Sequence, residues 1–179
     1  MNIQGKDIWL IPISPEEKEK FYELATGSYG SQWWYDIEQR GQITPDKFFE
    51  DWHDGYFDIN QPLEGQCFWI LANFKIIGQI NYNKIDLQNR KVEVDIIIGR
   101  KESMNKGYGT DALITLVNWL FSEFEWLNKI WISARCNNPR AVKVYKKARF
   151  VQEGYLFEDD YFYGKFVDCV LLAILRKDF

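Results

Sequence analysis

The glycine-rich stretch Met104-Asn105-Lys106-Gly107-Tyr108-Gly109-Thr110 follows a strand-like segment and opens a predicted helix. Its glycines let the backbone approach a ligand closely, and the first turn of a helix leaves amide N–H groups free to bind an anion such as a pyrophosphate. The stretch lacks the Gly-Lys-Ser/Thr ending of a Walker loop and the third glycine of a dinucleotide fingerprint. A tight loop that only caps the helix is the alternative.

The segments before and after this turn predict a mixed α/β fold. Upstream, three strands are expected at Cys67–Ala72, Ile76–Ile85 and Lys91–Ile98, in an antiparallel meander. Downstream, Gly107–Phe124 predicts a helix, because its apolar residues recur at helical spacing: Leu113, Leu116, Val117, Leu120, Phe121 and Phe124.

The C-terminal part continues the alternation of strands and helices. Asn128–Ala134 predicts a strand, and Asn137-Asn138-Pro139 caps a helix that runs to about Ala148. Two final strands, Phe150–Phe157 and Phe166–Leu175, are expected on either side of a loop at Asp159–Gly164.

The N-terminal third predicts one strand followed by acidic, aromatic helices. Ile8–Ile13 is the strand, and Ser14-Pro15 starts a helix to about Ala25. Thr44-Pro45 repeats this start signal before a helix to about Phe57.

Composition sets the broad class of the protein. At 179 residues, with 46% hydrophobic and 27% charged residues, the chain suits one folded domain. Net charge is −4, which disfavours nucleic-acid or anionic-membrane partners. Residues 1–90 carry 8 Lys and Arg against 14 Asp and Glu, whereas residues 91–179 carry 14 against 12. If the halves form two walls of a cleft, the first suits a cation and the second an anion.

Cysteine, histidine and hydropathy exclude several other classes. Cys67, Cys136 and Cys169 are widely spaced and odd in number, so the sequence predicts no disulfide framework or paired-cysteine metal site, and a cytoplasmic setting. His53 is the only histidine, which excludes a multi-histidine zinc site. The chain shows no secretory signal and no membrane-length apolar run.

A second segment, Asn138 to Phe150, places a polar helix cap and a phenol about two turns apart on one short helix. Tyr145 by itself is more typical of a packed aromatic with a bonded hydroxyl. In order along the chain, the strand Val92–Ile98, the Gly-x-Gly turn, the long helix, Asn-Pro-x-Ala and Tyr-x-x-x-x-Phe resemble the GNAT superfamily of acyl-CoA-dependent N-acetyltransferases. Within it, they resemble the branch of ribosomal-protein N-terminal and spermidine acetyltransferases.

The resemblance covers about Cys67 to the C-terminus and implies a fold. It implies a mixed, mostly antiparallel sheet of about six to seven strands flanked by helices. It also implies one domain, with acceptor-side helices in residues 1–65 and the acyl-CoA-binding core in residues 66–179.

The resemblance also implies how acetyl-CoA is held, without a metal. Backbone of Ile97, Ile98 and Gly99 is expected to hold the pantetheine arm, and Asn138 with Tyr145 to lie along it. The pyrophosphate is expected on Met104, Asn105, Lys106, Gly107, Tyr108, Gly109 and Thr110. Two positions depart from the family pattern: Met104 replaces a Gln or Arg contact, and Arg149 replaces a glycine in a tight turn.

For catalysis, the resemblance implies direct attack of an amine on the thioester. Tyr145 is the expected general acid, and Glu93 or Asp95 the expected base, with Glu93 the better match to the spermidine-type relatives. Because the two carboxylates are two residues apart on one strand, they share a face. A solvent-facing or ion-paired strand edge is an equal alternative for them.

Acceptor contacts are expected from the first half of the chain. Flat rings and carboxylates suit an ammonium group, and they cluster at Trp33, Trp34, Tyr35, Asp36 and Glu38. A core aromatic pair beside a solvated acidic helix is the alternative, and it is favoured for Glu50, Asp51, Asp54 and Asp58. Asp159–Tyr163 is a further candidate wall.

The resulting hypothesis is an N-acetyltransferase that moves an acetyl group from acetyl-CoA to a primary amine. The acceptor is a small cationic molecule, such as a polyamine or an aminoglycoside-like compound, or a protein N-terminus. A non-catalytic acyl-CoA-binding regulatory module is the alternative. The sequence leaves a homodimer open.

Overall fold

A computed structural model describes residues 2–36 and 42–179, in which one mixed sheet carries four α-helices. The strands are β1 (Ile3–Gln4), β2 (Trp9–Pro12), β3 (Gln66–Ala72), β4 (Lys75–Asp86), β5 (Lys91–Ile98), β6 (Lys129–Arg135), β7 (Val151–Phe162) and β8 (Lys165–Leu175). The helices are α1 (Lys18–Gly27), α2 (Pro45–Asp51), α3 (Tyr108–Glu123) and α4 (Pro139–Lys147). The sheet order is β1-β2-β3-β4-β5-β6-β8-β7, and only β5 and β6 pair in parallel.

This architecture confirms the predicted fold class and corrects the strand count. The described residues form eight strands rather than six to seven. The additional strand, β1, is two residues long, too short for any periodicity to show in sequence. The predicted loop at Asp159–Gly164 is wrong: β7 continues to Phe162, and a two-residue turn with φ of 51° and 73° at Tyr163 and Gly164 leads into β8.

Helical structure begins directly after Ser14 and Thr44, as the caps predict, although Pro15–Glu17 form a 3₁₀ turn and α1 itself starts at Lys18. Ser14 and Glu17 form a capping box before α1, and the Thr44 hydroxyl accepts a hydrogen bond from the Lys47 N–H at the start of α2. The predicted extension of α2 to Phe57 is wrong. The helix ends at Asp51, because Trp52 has a non-helical backbone (φ −115°, ψ 70°) that turns its ring inward.

Apolar residues cover both faces of the sheet. The stripe of α3 packs on one face against Val92 and Val94 of β5 and the inward residues of β6. Phe21 of α1 and Phe48 of α2 pack on the other face, against Trp69. Because side chains alternate along a strand, Glu93 and Asp95 lie on the second face.

The sheet splits between the parallel strands β5 and β6. Its pairing is confined to Lys91–Glu93 against Lys129–Trp131, and beyond these residues the strands separate. The crossover helix α3 begins after β5, and α4 begins soon after β6. Both helix N-termini therefore lie at the carboxyl end of the separated strands.

Candidate active site

A cleft of about 620 Å³ lies where β5 and β6 separate. Asp95, Ile96, Ile97 and Ile98 of β5 line one side, and Ser133, Ala134 and Arg135 of β6 line the other. The volume is in the range of small-molecule sites. The glycine turn and α4 line one end of the cleft, called here the turn end.

The turn end has the geometry of an anion site. Gly107 precedes the 16-residue helix α3 with φ of +89°, a conformation that favours glycine. Six of the seven residues predicted for the pyrophosphate line the cleft: Met104, Asn105, Gly107, Tyr108, Gly109 and Thr110. Lys106 lines a separate, smaller cavity beside Lys75 and Arg100, and Gly99 is not in the cleft wall.

Side chains of α4 add positive charge to the turn end. Arg140, Lys143 and Lys147 all line the cleft. The Arg140 guanidinium donates to the Met104 sulfur at 3.1 Å, so an arginine lies beside the position where the chain departs from the family pattern. Arg149, the second departure, is exposed and outside the cleft wall, and its φ of +71° keeps the tight turn that a glycine usually makes.

Tyr145 and Asn138 lie in the cleft as the spacing predicts. The Asn138 side chain caps α4 by accepting a hydrogen bond from the Ala141 N–H at 3.3 Å. The cap starts the helix that carries Tyr145 to the cleft wall, where 7% of the tyrosine is exposed. Burial, with a smaller contribution from Asp95, raises the pKa of the Tyr145 phenol, so it keeps its proton at neutral pH.

The two carboxylates of β5 have different surroundings. Asp95 lines the cleft and accepts a hydrogen bond from the Asn83 side chain at 3.0 Å, and burial raises its pKa. Glu93 is buried behind it, outside the cleft wall, with its carboxylate 2.6 Å from the Lys84 ammonium. Burial and the Asp95 charge raise the pKa of Glu93 from 4.5 to about 7, against the opposing effect of Lys84.

A β-bulge brings Lys84 to Glu93. Strict alternation would place Lys84 on the opposite face from Asn83, which pairs with Glu93 across the strands. The register shifts between Asn83 and Asp86, and Lys84 has φ of 45°. Bulges redirect side chains in this way. The lysine is thereby an exposed partner for a buried glutamate.

A second part of the cleft wall, called here the aromatic end, is lined by Trp33, Trp34, Tyr35 and Trp52, with Asp95 and Asp160. It meets the turn end at Trp33, whose ring centroid lies 5.9 Å from the Arg140 guanidinium. Trp34 stacks on Trp52 at a ring-centroid distance of 5.7 Å, and Trp52 stacks on Phe48 at 5.8 Å. The first three rings are predicted substrate contacts, whereas Trp52 was not predicted, because only the break after α2 brings it here. Asp36 is buried but not part of the cleft wall, and Glu38 lies outside the described residues.

Arg135 is a second residue that sequence reasoning missed. Its guanidinium donates to the backbone carbonyls of Trp33 and Trp34 and, at 2.5 Å, to Asp160. It also lies over the Phe162 ring at 3.9 Å. Arg135, at the end of β6, therefore holds residues 30–35, called here the aromatic loop, against β7. A single arginine at the end of a strand belongs to no sequence motif that would predict these hydrogen bonds.

The acidic residues of α2 and the segment after it lie outside the cleft wall: Glu50, Asp51, Asp54 and Asp58. Asp54 pairs with Lys18 at 2.5 Å, Glu50 pairs with Lys47, and Asp58 accepts hydrogen bonds from Asn60 and Gln61. The interpretation of these residues as a solvated acidic surface fits their positions. Among the described residues, the first half of the chain therefore contributes aromatic side chains to the cleft wall and no charged ones.

Comparison with known proteins identifies the family. The acetyltransferase (GNAT) domain family matches residues 7–151. The chain belongs to the GNAT acetyltransferase family. A putative ribosomal N-acetyltransferase of Bacillus subtilis is 26% identical over 170 residues, covering 93% of this chain and 90% of the relative. Spermidine N(1)-acetyltransferase of Vibrio cholerae is 29% identical over 108 residues, covering 60% of this chain and 61% of the relative.

A solved structure shares the fold of this GNAT chain. The ribosomal L7/L12 alpha-N-protein acetyltransferase RimL, in complex with coenzyme A, superposes with a TM-score of 0.83 at 14% identity over all of both chains. Within residues 2–36 and 42–179, no helix is long and apolar enough to cross a membrane. The same residues contain no group of three His, Cys, Asp or Glu side chains arranged to hold a metal.

Proposed function

We propose that this GNAT protein transfers an acetyl group from acetyl-CoA to a primary amine. The observation that carries the proposal is that Asp95 and Tyr145, from separate parts of the chain, line one cleft together with the glycine turn. Direct acetyl transfer requires a proton acceptor for the amine and a proton donor for the thiolate, and the glycine turn adds an anion site for the pyrophosphate of the cofactor.

The cleft fits coenzyme A in chemistry as well as size. The left-handed Gly107 frees the first amides of α3 for a pyrophosphate, with Arg140, Lys143 and Lys147 as neighbouring cations. Ile97 and Ile98, where β5 has left β6, would hold the pantetheine arm beside Asn138. Bound acetyl-CoA supplies the activated thioester, and no metal is required.

Asp95 is the proposed first acceptor of the amine proton, with Glu93 behind it. The sequence favoured Glu93, but Asp95 is the carboxylate in the cleft wall. Its raised pKa makes it a better base than an exposed aspartate. Glu93 lies behind Asp95 with its carboxyl group 2.6 Å from the Lys84 ammonium, and its pKa of about 7 leaves it partly protonated at neutral pH.

Tyr145 is the proposed acid for the departing thiolate. Its phenol is protonated and largely shielded from water, so it can donate to sulfur without competition from solvent. Backbone N–H groups of β5 near Ile97 are the proposed donors to the developing oxyanion, because this part of the strand has left β6.

The acceptor classes proposed from sequence are a polyamine, an aminoglycoside-like compound and a protein N-terminus. Relatives named for spermidine and for ribosomal proteins support the first and the last. The three cysteines are free, which supports action in the reducing cytoplasm.

Thiol release tests the proposal directly. The purified protein is incubated with acetyl-CoA and a panel of primary amines, and free thiol is measured with a chromogenic disulfide. We expect amine-dependent release with at least one amine. CoA binding by calorimetry without turnover of any amine would overturn the proposal and favour a regulatory acyl-CoA-binding module.

A further inference from the structure

The charges of the cleft wall restrict the acceptor. Among the described residues that line the cleft, two are acidic, Asp95 and Asp160. Arg140, Lys143 and Lys147 line the turn end, and Arg135 lies at the aromatic end. The cleft of an acidic protein is therefore lined by more cations than anions.

Of the two acids, Asp160 is already neutralised. The Arg135 Nε donates to its carboxylate at 2.5 Å, and the rest of that guanidinium is occupied by two backbone carbonyls and the Phe162 ring. Glu93, behind Asp95, is paired with Lys84. Asp95 is thus the single unpaired carboxylate that the described cleft wall offers to an ammonium group.

The rings that line the cleft with Asp95 are held by their neighbours. Trp34 and Trp52 are held in a stack with Phe48, and Arg135 holds the backbone of Trp33 and Trp34. The acidic side chains of α2 and its following turn are engaged elsewhere or exposed.

We infer that the acceptor carries one amine next to an aromatic or other apolar group, and is not a polycation. This rests on the proposed function and narrows its acceptor to one class. One ammonium would pair with Asp95 while the adjoining group packs against the rings. Each further ammonium of a polyamine would find no second unpaired carboxylate in the described cleft wall and would lie near the Arg135 guanidinium, which has the same charge.

Such an amine has two sources, a small arylalkylamine or a peptide N-terminus followed by an apolar residue. The assay compares 2-phenylethylamine, hexylamine, spermidine, and two peptides that begin Ala-Phe and Ala-Lys. We expect kcat/KM for 2-phenylethylamine or the Ala-Phe peptide to exceed that for spermidine at least tenfold. Whichever of these two is preferred identifies the source. Spermidine turned over as well as or better than both would overturn the inference, while thiol release would still support the proposed function.

A variant pair tests the role of the rings. Trp33→Leu truncates a ring of the cleft wall that is outside both apolar cores, and Trp9→Leu truncates an exposed ring on β2. We expect Trp33→Leu to weaken binding of 2-phenylethylamine about tenfold relative to hexylamine, by calorimetry on the CoA-loaded protein. Trp9→Leu should leave this ratio unchanged. Equal weakening for both amines, or no weakening, would contradict an aromatic contact.

Discussion

Glu93 makes the stability of the protein depend on pH. Its pKa is raised to about 7 in the folded chain, from 4.5 for an ordinary glutamate, by burial and by Asp95. Below 4.5, both folded and unfolded chains hold the proton. Between the two values the unfolded chain loses the proton while the folded chain keeps it, so stability falls as the pH rises through this window. Above a pH of about 7, the stabilisation that the protonated Glu93 contributes is lost completely.

The magnitude follows from the two pKa values. Each pH unit corresponds to about 1.4 kcal/mol, so the whole window sets a ceiling of about 3 kcal/mol, most of it between about pH 5 and about pH 8. Glu93→Gln removes the titrating group while keeping its shape. Because Asp95 also has a raised pKa, some pH dependence remains in the variant. We expect the drop in unfolding free energy from pH 5 to pH 8 to shrink by about 2 kcal/mol.

Urea unfolding followed by tryptophan fluorescence at the two pH values measures this difference. Glu102→Gln is the matched control, because Glu102 is an exposed glutamate with an ion-pair partner, Arg100. The control should keep the wild-type dependence on pH. An unchanged dependence in Glu93→Gln would refute the assignment of a buried, proton-holding glutamate at this position.

Four further outcomes are expected. Tyr145→Phe should lower turnover about 100-fold with CoA affinity nearly unchanged, and unaltered turnover would remove the phenol from the mechanism. Gly30→Ala puts a Cβ 2.2 Å from a backbone oxygen of β5, so displacement of the aromatic loop should lower kcat/KM by about tenfold. Gly27→Ala is the control, because its new Cβ has no atom within 4 Å, and it should leave kcat/KM unchanged. An equal loss of kcat/KM in both variants would contradict a steric clash at Gly30. The strand β7 is an edge of the sheet that exposes 81% of Phe157, so we expect a homodimer there that Phe157→Lys dissociates in sedimentation analysis. Identical sedimentation of the wild-type protein and Phe157→Lys would exclude the β7 edge as a dimer interface.

The turn end was predictable because its signals are local. A left-handed glycine before an amphipathic helix and a polar cap two turns before Tyr145 are properties of contiguous residues, and both are present at Gly107 and Asn138. The apolar stripe of α3 similarly requires one buried face. These patterns predicted the helices, most of the strands and the side of the cleft suited to an anion.

The aromatic end was only partly predictable because its contacts join distant segments. Trp52 reaches the cleft through the break that ends α2, and Arg135 through hydrogen bonds to residues about a hundred positions earlier. The charge split between the halves of the sequence suggested an acidic wall. In the fold, however, the acidic residues of α2 and its following turn do not line the cleft, while the rings do.

The sequence alone therefore predicted the family, through the resemblance of its motifs, and the order of elements and the position of the glycine turn, since these two follow from local propensity and spacing. The tertiary structure decided which carboxylate meets the cleft and which is buried behind it. Alternation places Glu93 and Asp95 on one face, but the separation of β5 from β6 exposes Asp95, and the bulge at Lys84 gives Glu93 its counter-charge. Strand separation and register are properties of pairing between strands, which no single segment of sequence contains.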